Sequence, residues 1–235
     1  MLFRSKLYKS IFTGAMSMLK GSTAFKQETK IRLREVIGSI ALLSQPLSLA
    51  DLSELLGDEF PKERVYSLLK HVNSFITLPS SQDDATPIRA FHASFEDHVT
   101  DEKRADSDFY YVERGPHHAM LAKRCLDVMK KYLDRDNICD LAPNQDYDEV
   151  DGLADIRNKR IPPVLEYACR YWSYHLDKAT SSGNVLCNAL ELTDALHTFT
   201  STLLLRWIDV LAVTRNLDKC VTMLTAARKS LSVCF

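Results

Sequence analysis

Glycine is scarce in this sequence, which contains 7 glycines among 235 residues. Globular proteins use glycine at about 7% of positions. The shortage removes the residue that most easily forms tight turns and lets a backbone approach a phosphate group closely. The phosphate-binding pattern G-x-x-x-x-G-K-[ST] does not occur. We therefore expect a mainly helical chain that is not an enzyme and does not hydrolyse nucleotides by itself.

An excess of charge of one sign is also missing. The formal net charge is -1, whereas nucleic-acid-binding domains carry a clear basic excess, so nucleic acid is not an expected partner. The richest apolar stretch, Leu203–Val213, is interrupted by Arg206 and Asp209. It falls short of the roughly 18 apolar residues that indicate a membrane-spanning helix, and no membrane association is expected.

The cysteines lack the spacing of a metal site or a disulfide framework. There are six of them, and no two form a C-x-x-C pair. A chain of this size does not need disulfides for stability, so the pattern is typical of reduced, buried thiols in a cytoplasmic protein. We expect no metal and no cofactor in the chain by itself.

The segment 1–27 is basic and has no acidic residue before Glu28. Four of its apolar residues share one helical face: Leu7, Ile11, Ala15 and Met18. A basic, amphipathic, acid-free segment has the pattern of a mitochondrial transit peptide, but such patterns are loose, and an ordinary surface helix is the alternative. The sequence predicts an N-terminal helix here that is either the remnant of a helical domain or a targeting segment.

The segment 28–115 predicts a winged-helix-like domain. Apolar residues recur with helical spacing from Glu28 to Leu43, a capping box at Ser48 begins a second helix, and Pro61 begins a third. The segments 75–78 and 88–91 are rich in strand-forming residues, and a turn-rich loop over 79–86 joins them. Three helices followed by a small β-hairpin, with that loop as the wing, is the order of a winged helix.

The segment 116–235 predicts a helical arm. Amphipathic stripes indicate helices at about 116–133, 162–178, 184–197, 200–213 and 217–231, with a polar, acidic loop over 142–152. Successive amphipathic helices with short connections favour a bundle or a superhelix. The fold class is therefore mainly α, a winged-helix domain with a small β-hairpin followed by an α-helical bundle or superhelix.

The residues His92, Ser94 and Asp97 are of the three types that form a Ser-His-Asp hydrolase triad. Because a triad needs groups that converge from separate parts of the fold, three residues in one local stretch do not predict one. The acidic loop beginning at Asp146 lacks the residues that calcium loops have at their fifth, sixth and twelfth positions. The adjacent residues His117 and His118 face different directions on a helix, so a shared metal is not expected.

A resemblance enters at the segment 90–101. The residues Phe91-His92-Ala93-Ser94-Phe95-Glu96-Asp97 and the following His98-Val99-Thr100-Asp101 resemble a signature of fungal NACHT-type STAND proteins, which are NLR-like signalling NTPases. Weaker pieces agree over nearly the whole chain: Leu7-Tyr8, 33–38, 45–48, 55–57, 118–129, 137–141 and 167–176. One departure is His98, which stands where the family usually has Phe.

The resemblance implies that this chain corresponds to the region C-terminal to the NTPase core, with a winged helix and a helical arm. It implies a non-catalytic regulatory or interaction fragment that acts in signal transduction through protein–protein contacts, with protein partners. ATP or ADP would be bound only if an NTPase core is supplied, and His92 is the residue that would then contact a nucleotide phosphate. The alternative is a winged-helix nucleic-acid-binding protein, in which the helix 61–71 with Lys62, Arg64 and Lys70 would read DNA.

Overall fold

The structure is a computed structural model that describes residues 2–17, 20–81, 85–105, 110–142, 147–181 and 190–232. The chain divides into two compact units, Met1–His117 and His118–Phe235. We call them the N-terminal unit and the C-terminal unit, and each is described by itself.

The N-terminal unit is built from helices that begin and end at residues with clear local causes. Ser22 and Ser48 accept the backbone N–H groups of Phe25 and Asp51, which begins the helices that follow. Gly57 ends α3 with a φ of 89°, a conformation that favours glycine. The helices are α1 (Leu2–Ser17), α2 (Thr23–Leu42), α3 (Leu49–Leu56), α4 (Lys62–Lys70), α5 (Ser94–Val99) and α6 (Glu102–Ala105).

Aromatic side chains form the centre of this unit. Helix α1 contributes Tyr8 and Phe12, both buried. The ring of Phe12 stacks on that of Tyr110 with centroids 4.3 Å apart and lies 5.0 Å from that of Phe75. Phe95 and His98 of α5 complete this set, which we call the aromatic cluster. Helix α1 is therefore part of the core of the N-terminal unit, because two of its side chains lie inside that cluster.

The prediction of a winged-helix β-hairpin is wrong. Among the residues that the structure describes there is no strand, and the segments 75–78 and 88–91 meet in one antiparallel bridge between Ile76 and Ala90. Two hydrogen bonds accompany that bridge, from Thr77 N–H to Arg89 O (2.7 Å) and from Phe91 N–H to Phe75 O (3.0 Å). The fold class is thus mainly helical without the wing that the sequence predicted.

The reason that the pairing does not extend lies in the backbone donors. Pro79 and Pro87 follow and precede the two segments and have no N–H group to offer. The next hydrogen-bonded pair of the ladder would be Pro79 and Pro87, whereas the N–H group of Ile88 points away from the partner segment and donates to the carbonyl oxygen of Leu47 at 2.8 Å. Strand-forming side chains therefore predicted extended backbone at 75–78 and 88–91, and the loss of these donors prevented a ladder. Residues 82–84 of the predicted wing lie outside the described residues.

The C-terminal unit is an array of longer helices. They are α7 (Arg114–Tyr132, which begins just before the unit boundary), α8 (Leu153–Arg160), α9 (Pro163–Ser181), α10 (Leu190–Thr198), α11 (Leu204–Val213) and α12 (Cys220–Ser232). A π-helical stretch, Phe199–Leu203, joins α10 to α11, and α11 and α12 both pack against α9. Helix α8 lies in a segment for which the sequence predicted no helix. The predicted helix start at 184 lies outside the described residues.

Two tryptophans hold the core of the C-terminal unit. The rings of Trp172, Phe199 and Trp207 contact one another with centroids 4.7 to 6.0 Å apart, and Trp207 Nε1–H donates to the carbonyl oxygen of Cys169 at 2.9 Å. Burial raises the pKa of the Cys125 and Cys169 thiols well above the usual range. Both are therefore protonated and unreactive core side chains. Within the described ranges, no helix combines the length and the apolar character needed to cross a bilayer.

Candidate functional site around His92

The side chain of His92 lies exposed at the bend that precedes α5. Its Nδ1 accepts the backbone N–H of Ser94 at 2.9 Å. In a neutral imidazole this hydrogen bond leaves the proton on Nε2, because one ring nitrogen accepts while the other donates. The N–H group of such a ring is on Nε2, and the preceding residue in the chain, Phe91, is also exposed.

The neighbours of His92 do not form a nucleophile–base pair with it. The hydroxyl of Ser94 lies 3.3 Å from the hydroxyl of Tyr8, and His92 is bonded to the backbone of Ser94 rather than to that hydroxyl. The carboxylate of Asp97 lies 3.9 Å from the guanidinium of Arg104. Activation of a serine requires an imidazole that accepts the hydroxyl proton, and this arrangement does not provide one.

His98, six residues further on, has a contrasting environment. Its ring is buried between Tyr8 and Tyr110, with centroids 5.0 and 5.6 Å away. Burial, with a smaller contribution from Arg104, lowers the pKa of His98 to about 4, and Asp101 acts weakly in the opposite direction. His98 is thus a neutral aromatic ring near pH 7, and it fills the position where the family signature has Phe.

A serine–histidine pair that the sequence did not predict lies elsewhere in the N-terminal unit. Ser39 Oγ donates to the carbonyl oxygen of Glu35 at 2.9 Å and lies 3.1 Å from His117 Nε2. Because the single hydroxyl proton goes to Glu35, Nε2 of His117 must carry a proton and donate to Ser39. The pair therefore cannot deprotonate the serine. It fixes the His117 ring, which lies against Gly38.

A second unpredicted group is a chain of hydrogen bonds in the core of the C-terminal unit. His118 Nδ1 lies 2.8 Å from His175 Nδ1, and His175 Nε2 lies 2.8 Å from the hydroxyl of Tyr167. All three side chains are buried. Only one of the two Nδ1 atoms donates in this hydrogen bond, and the other ring accepts through its Nδ1. The group joins α7 to α9 and has no contact with solvent through which a substrate could reach it.

The other candidates of the sequence have ordinary structural roles. Arg64 of α4 donates to the carbonyl oxygen of Glu59, and the Lys70 ammonium lies over the Tyr66 ring at 4.6 Å. The predicted winged-helix nucleic-acid binder included a β-hairpin, and the described residues contain no strand. Asp146 of the acidic loop lies outside the described residues. Among the residues described, no three or more His, Cys, Asp or Glu side chains gather where they could hold a metal ion.

The hydrogen bond between His118 and His175 was not predicted, although the sequence contains a weak indication of it. His175 lies on the same apolar stripe of α9 as Ala168, Trp172 and Ala179, where a polar residue must find a buried partner. The sequence could identify such a position but not the partner, because His118 is 57 residues away.

Comparisons of this chain with family models, with curated proteins and with solved structures give no match. The resemblance to NACHT-type proteins therefore depends on the motifs at 90–101 and on the weaker pieces around them.

Proposed function

We propose that this chain is a non-catalytic component of a NACHT-type signalling protein, and that it acts in the cytoplasm through protein–protein contacts. The observation that carries the proposal is a contrast between polar and apolar side chains. Polar groups with catalytic chemistry form hydrogen bonds within the fold, while several large apolar side chains lie exposed. The motif at 90–101 supplies the link to the NACHT-type family.

The polar groups are the imidazoles of three hydrogen-bonded pairs. His92 bonds to the helix backbone, His117 donates to Ser39, and His118 shares a proton with His175. In each pair the imidazole is committed to a structural partner or is buried away from solvent. A general base must be within reach of a substrate proton, and these geometries favour a structural role for His117, His118 and His175.

The apolar groups are large side chains that lie exposed on the surface. The exposed fraction is 65% for Phe91, 81% for Leu190, 75% for Leu205 and 74% for Val221. Single exposed apolar residues are normal on a protein surface, but Phe91 directly precedes His92 in the family motif. A partner that contacts the imidazole of His92 would therefore also cover the ring of Phe91. Burial of an aromatic ring supplies much of the affinity of many protein interfaces.

The role proposed for His92 needs a phosphate that the NTPase core holds. With its Nδ1 bonded to Ser94, the ring can donate Nε2–H to a phosphate oxygen. Since the chain contains no G-x-x-x-x-G-K-[ST] pattern, the core must come from another polypeptide or another part of a longer one. His92 would then stabilise the nucleotide-bound arrangement of that core and this chain, which is a known mode of switching.

The test is a titration of fluorescent ADP and ATP into the purified chain, alone and with a purified NACHT-type NTPase core. We expect no binding by the chain alone and slower release of ADP from the core when the chain is present. The variant His92→Ala should abolish that slowing. His197→Ala is the matched control, because it removes an exposed imidazole on α10. Micromolar nucleotide binding with hydrolysis by the chain alone would overturn the proposal.

The protein contact itself has a separate test. Phe91→Ser should weaken association with the NTPase core at least about tenfold in a binding titration, because burial of an aromatic ring contributes more than about 1.4 kcal/mol. Phe25→Ser removes another exposed aromatic ring of the same unit and should leave the association unchanged. Equal effects of the two substitutions would contradict a contact at Phe91.

A further inference from the structure

The loop between α7 and α8 is built around one carboxylate. Asn137 and Asp140 have φ values of 50° and 53°, and the side-chain amide of Asn137 bonds both to the N–H and to the carbonyl oxygen of Leu141. This geometry orders the loop backbone and places the Asp140 side chain next to the last turn of α8. Left-handed backbone at residues other than glycine is sparse, and hydrogen bonds such as these stabilise it.

Two arginines share a single oxygen of that carboxylate. Arg160 Nη2 donates to Asp140 Oδ2 at 2.7 Å, and Arg135 Nη2 donates to the same oxygen at 2.9 Å and to the carbonyl oxygen of Ile138 at 3.2 Å. The Nε and Nη1 groups of both arginines make no hydrogen bond with the described residues. Asp140 thus gathers two half-exposed guanidinium groups whose remaining donors are uncommitted.

A third guanidinium belongs to the same cluster. Arg157 lies one turn before Arg160 on α8, and it forms no ion pair with any residue that the structure describes. Burial raises the pKa of the nearby Cys139 thiol, while Arg160, Arg135 and Arg157 all act to lower it. All three positive charges therefore act on the thiol of Cys139, which directly precedes Asp140. Three positive charges against the one negative charge of Asp140 leave an excess of two.

We propose that Arg135, Arg157 and Arg160 form a binding site for the dianion of a phosphate monoester. Such a group carries about -1.5 to -2 charge near pH 7 and three oxygens that accept hydrogen bonds, which matches the excess charge and the uncommitted donors. Asp140 is the positioning residue, because it holds two of the guanidinium groups together before the anion arrives. The source of the phosphate is either a small phosphorylated molecule or a phosphorylated side chain of a protein.

The surroundings of the cluster favour a single phosphate over a polyanion. The chain as a whole carries a net charge of -1, so it lacks the broad basic surface that duplex nucleic acid or an anionic membrane would require. Arg206 of α11 also reaches this loop but is committed elsewhere, since it pairs with Asp136 at 2.6 Å and donates to the carbonyl oxygen of Leu133 at 2.8 Å. The positive excess is therefore local to three side chains.

The experiment is calorimetric titration of the full chain with inorganic phosphate, at constant ionic strength and with chloride as the reference. We expect half-saturation at or below about 1 mM, which is a modest affinity. Arg157→Ala should weaken binding at least about tenfold, since a hydrogen bond to a charged group contributes this much. The same substitution should leave the urea midpoint unchanged, because Arg157 holds no other side chain. Arg228→Ala removes an exposed arginine of α12 and should leave phosphate binding intact.

A second titration identifies the source of the phosphate. A short peptide with phosphoserine is compared with the same peptide carrying serine. Tighter binding of the phosphopeptide than of inorganic phosphate supports a protein ligand, and equal binding supports a small phosphorylated molecule. The proposal is overturned if neither phosphate source binds below about 10 mM. It is also overturned if Arg157→Ala and Arg228→Ala weaken binding equally, because the attraction would then be general.

Discussion

The two units of this protein bury histidine in different ways. In the N-terminal unit His98 lies among aromatic rings and is used as one of them. In the C-terminal unit His118 and His175 bond to each other and to Tyr167. The first environment needs a flat ring and penalises its positive charge, whereas the second needs the hydrogen-bonding nitrogens themselves. The same residue type thus acts as an aromatic side chain in one unit and as a polar connector in the other.

The largest effect is expected where the aromatic environment is broken. Phe12→Ala removes a fully buried ring that stacks on Tyr110, and it should lower the free energy of unfolding by about 3–5 kcal/mol. Urea titration followed by circular dichroism measures the loss. Leu7→Ala on the exposed side of α1 is the control and should change stability little. If the two substitutions cost the same, α1 is not part of the aromatic core.

The polar environment of the C-terminal unit is tested by His175→Leu. This change removes a hydrogen-bond partner from both His118 and Tyr167, and we expect a loss of about 2–4 kcal/mol because buried polar groups lose their partner. His118→Leu and the double variant complete a double-mutant cycle measured by urea unfolding. The double variant should lose less than the sum of the two single losses. Additive losses would mean that the two imidazoles do not interact.

The aromatic environment of His98 predicts a dependence on pH. Its pKa is about 4 in the folded protein and about 6.5 in the unfolded chain. Above pH 6.5 neither state binds this proton, so His98 does not affect the pH dependence there. As the pH falls from about 6.5 to about 4, the unfolded chain binds the proton first, and the fold loses up to about 3 kcal/mol from this residue.

His98→Phe removes the titrating group and restores the ring that the family signature has at this position. The unfolding free energy of this variant should fall less between pH 7 and pH 4 than that of the original chain. The difference between the two pH profiles is the measured quantity, since other carboxylates and histidines contribute equally to both. Parallel profiles would show that burial does not hold His98 neutral.

The smallest effect is expected at Gly38. A Cβ there would lie 2.7 Å from Cε1 of His117 and 2.9 Å from Cγ1 of Val112, which is closer than side chains pack. The overpacking costs about 1–3 kcal/mol, and the better helix propensity of alanine returns about 1 kcal/mol. Gly38→Ala should therefore destabilise the chain by about 1 kcal/mol in urea unfolding. In the background His117→Ala the same substitution should cost less, because only the close contact with Val112 remains.

Much of the helical organisation could be predicted from the sequence. The cap at Ser48, the glycine that ends α3 and the stripe of α9 are local signals, and the structure has helices at each of them. The hairpin was predicted from strand-forming residues at 75–78, and this prediction was wrong. Side-chain preference is a property of the segment, whereas a ladder needs donors from a second segment. The next hydrogen-bonded pair would be Pro79 and Pro87, and neither has an N–H group to donate.

The candidate site shows the same limit. Sequence reasoning selected His92 from its motif, but it could not show that Nδ1 accepts the Ser94 backbone N–H and leaves Nε2 as the donor. It assigned no binding role to Asp140 or to the arginines around it. Arg135 and Arg160 are 25 residues apart by their numbers, and only the folded loop brings both to one oxygen.

Sequence alone established that the chain is mainly helical, that it lacks a glycine-rich phosphate loop and where several helices begin, such as α3, α4 and α9. These properties follow from composition and from interactions between residues fewer than five positions apart. Only the tertiary structure decided which histidines are aromatic rings, which are hydrogen-bonded partners and which arginines gather around one carboxylate. The physical reason is that burial and long-range contacts, rather than residue type, determine the charge state and the hydrogen bonds of a polar side chain.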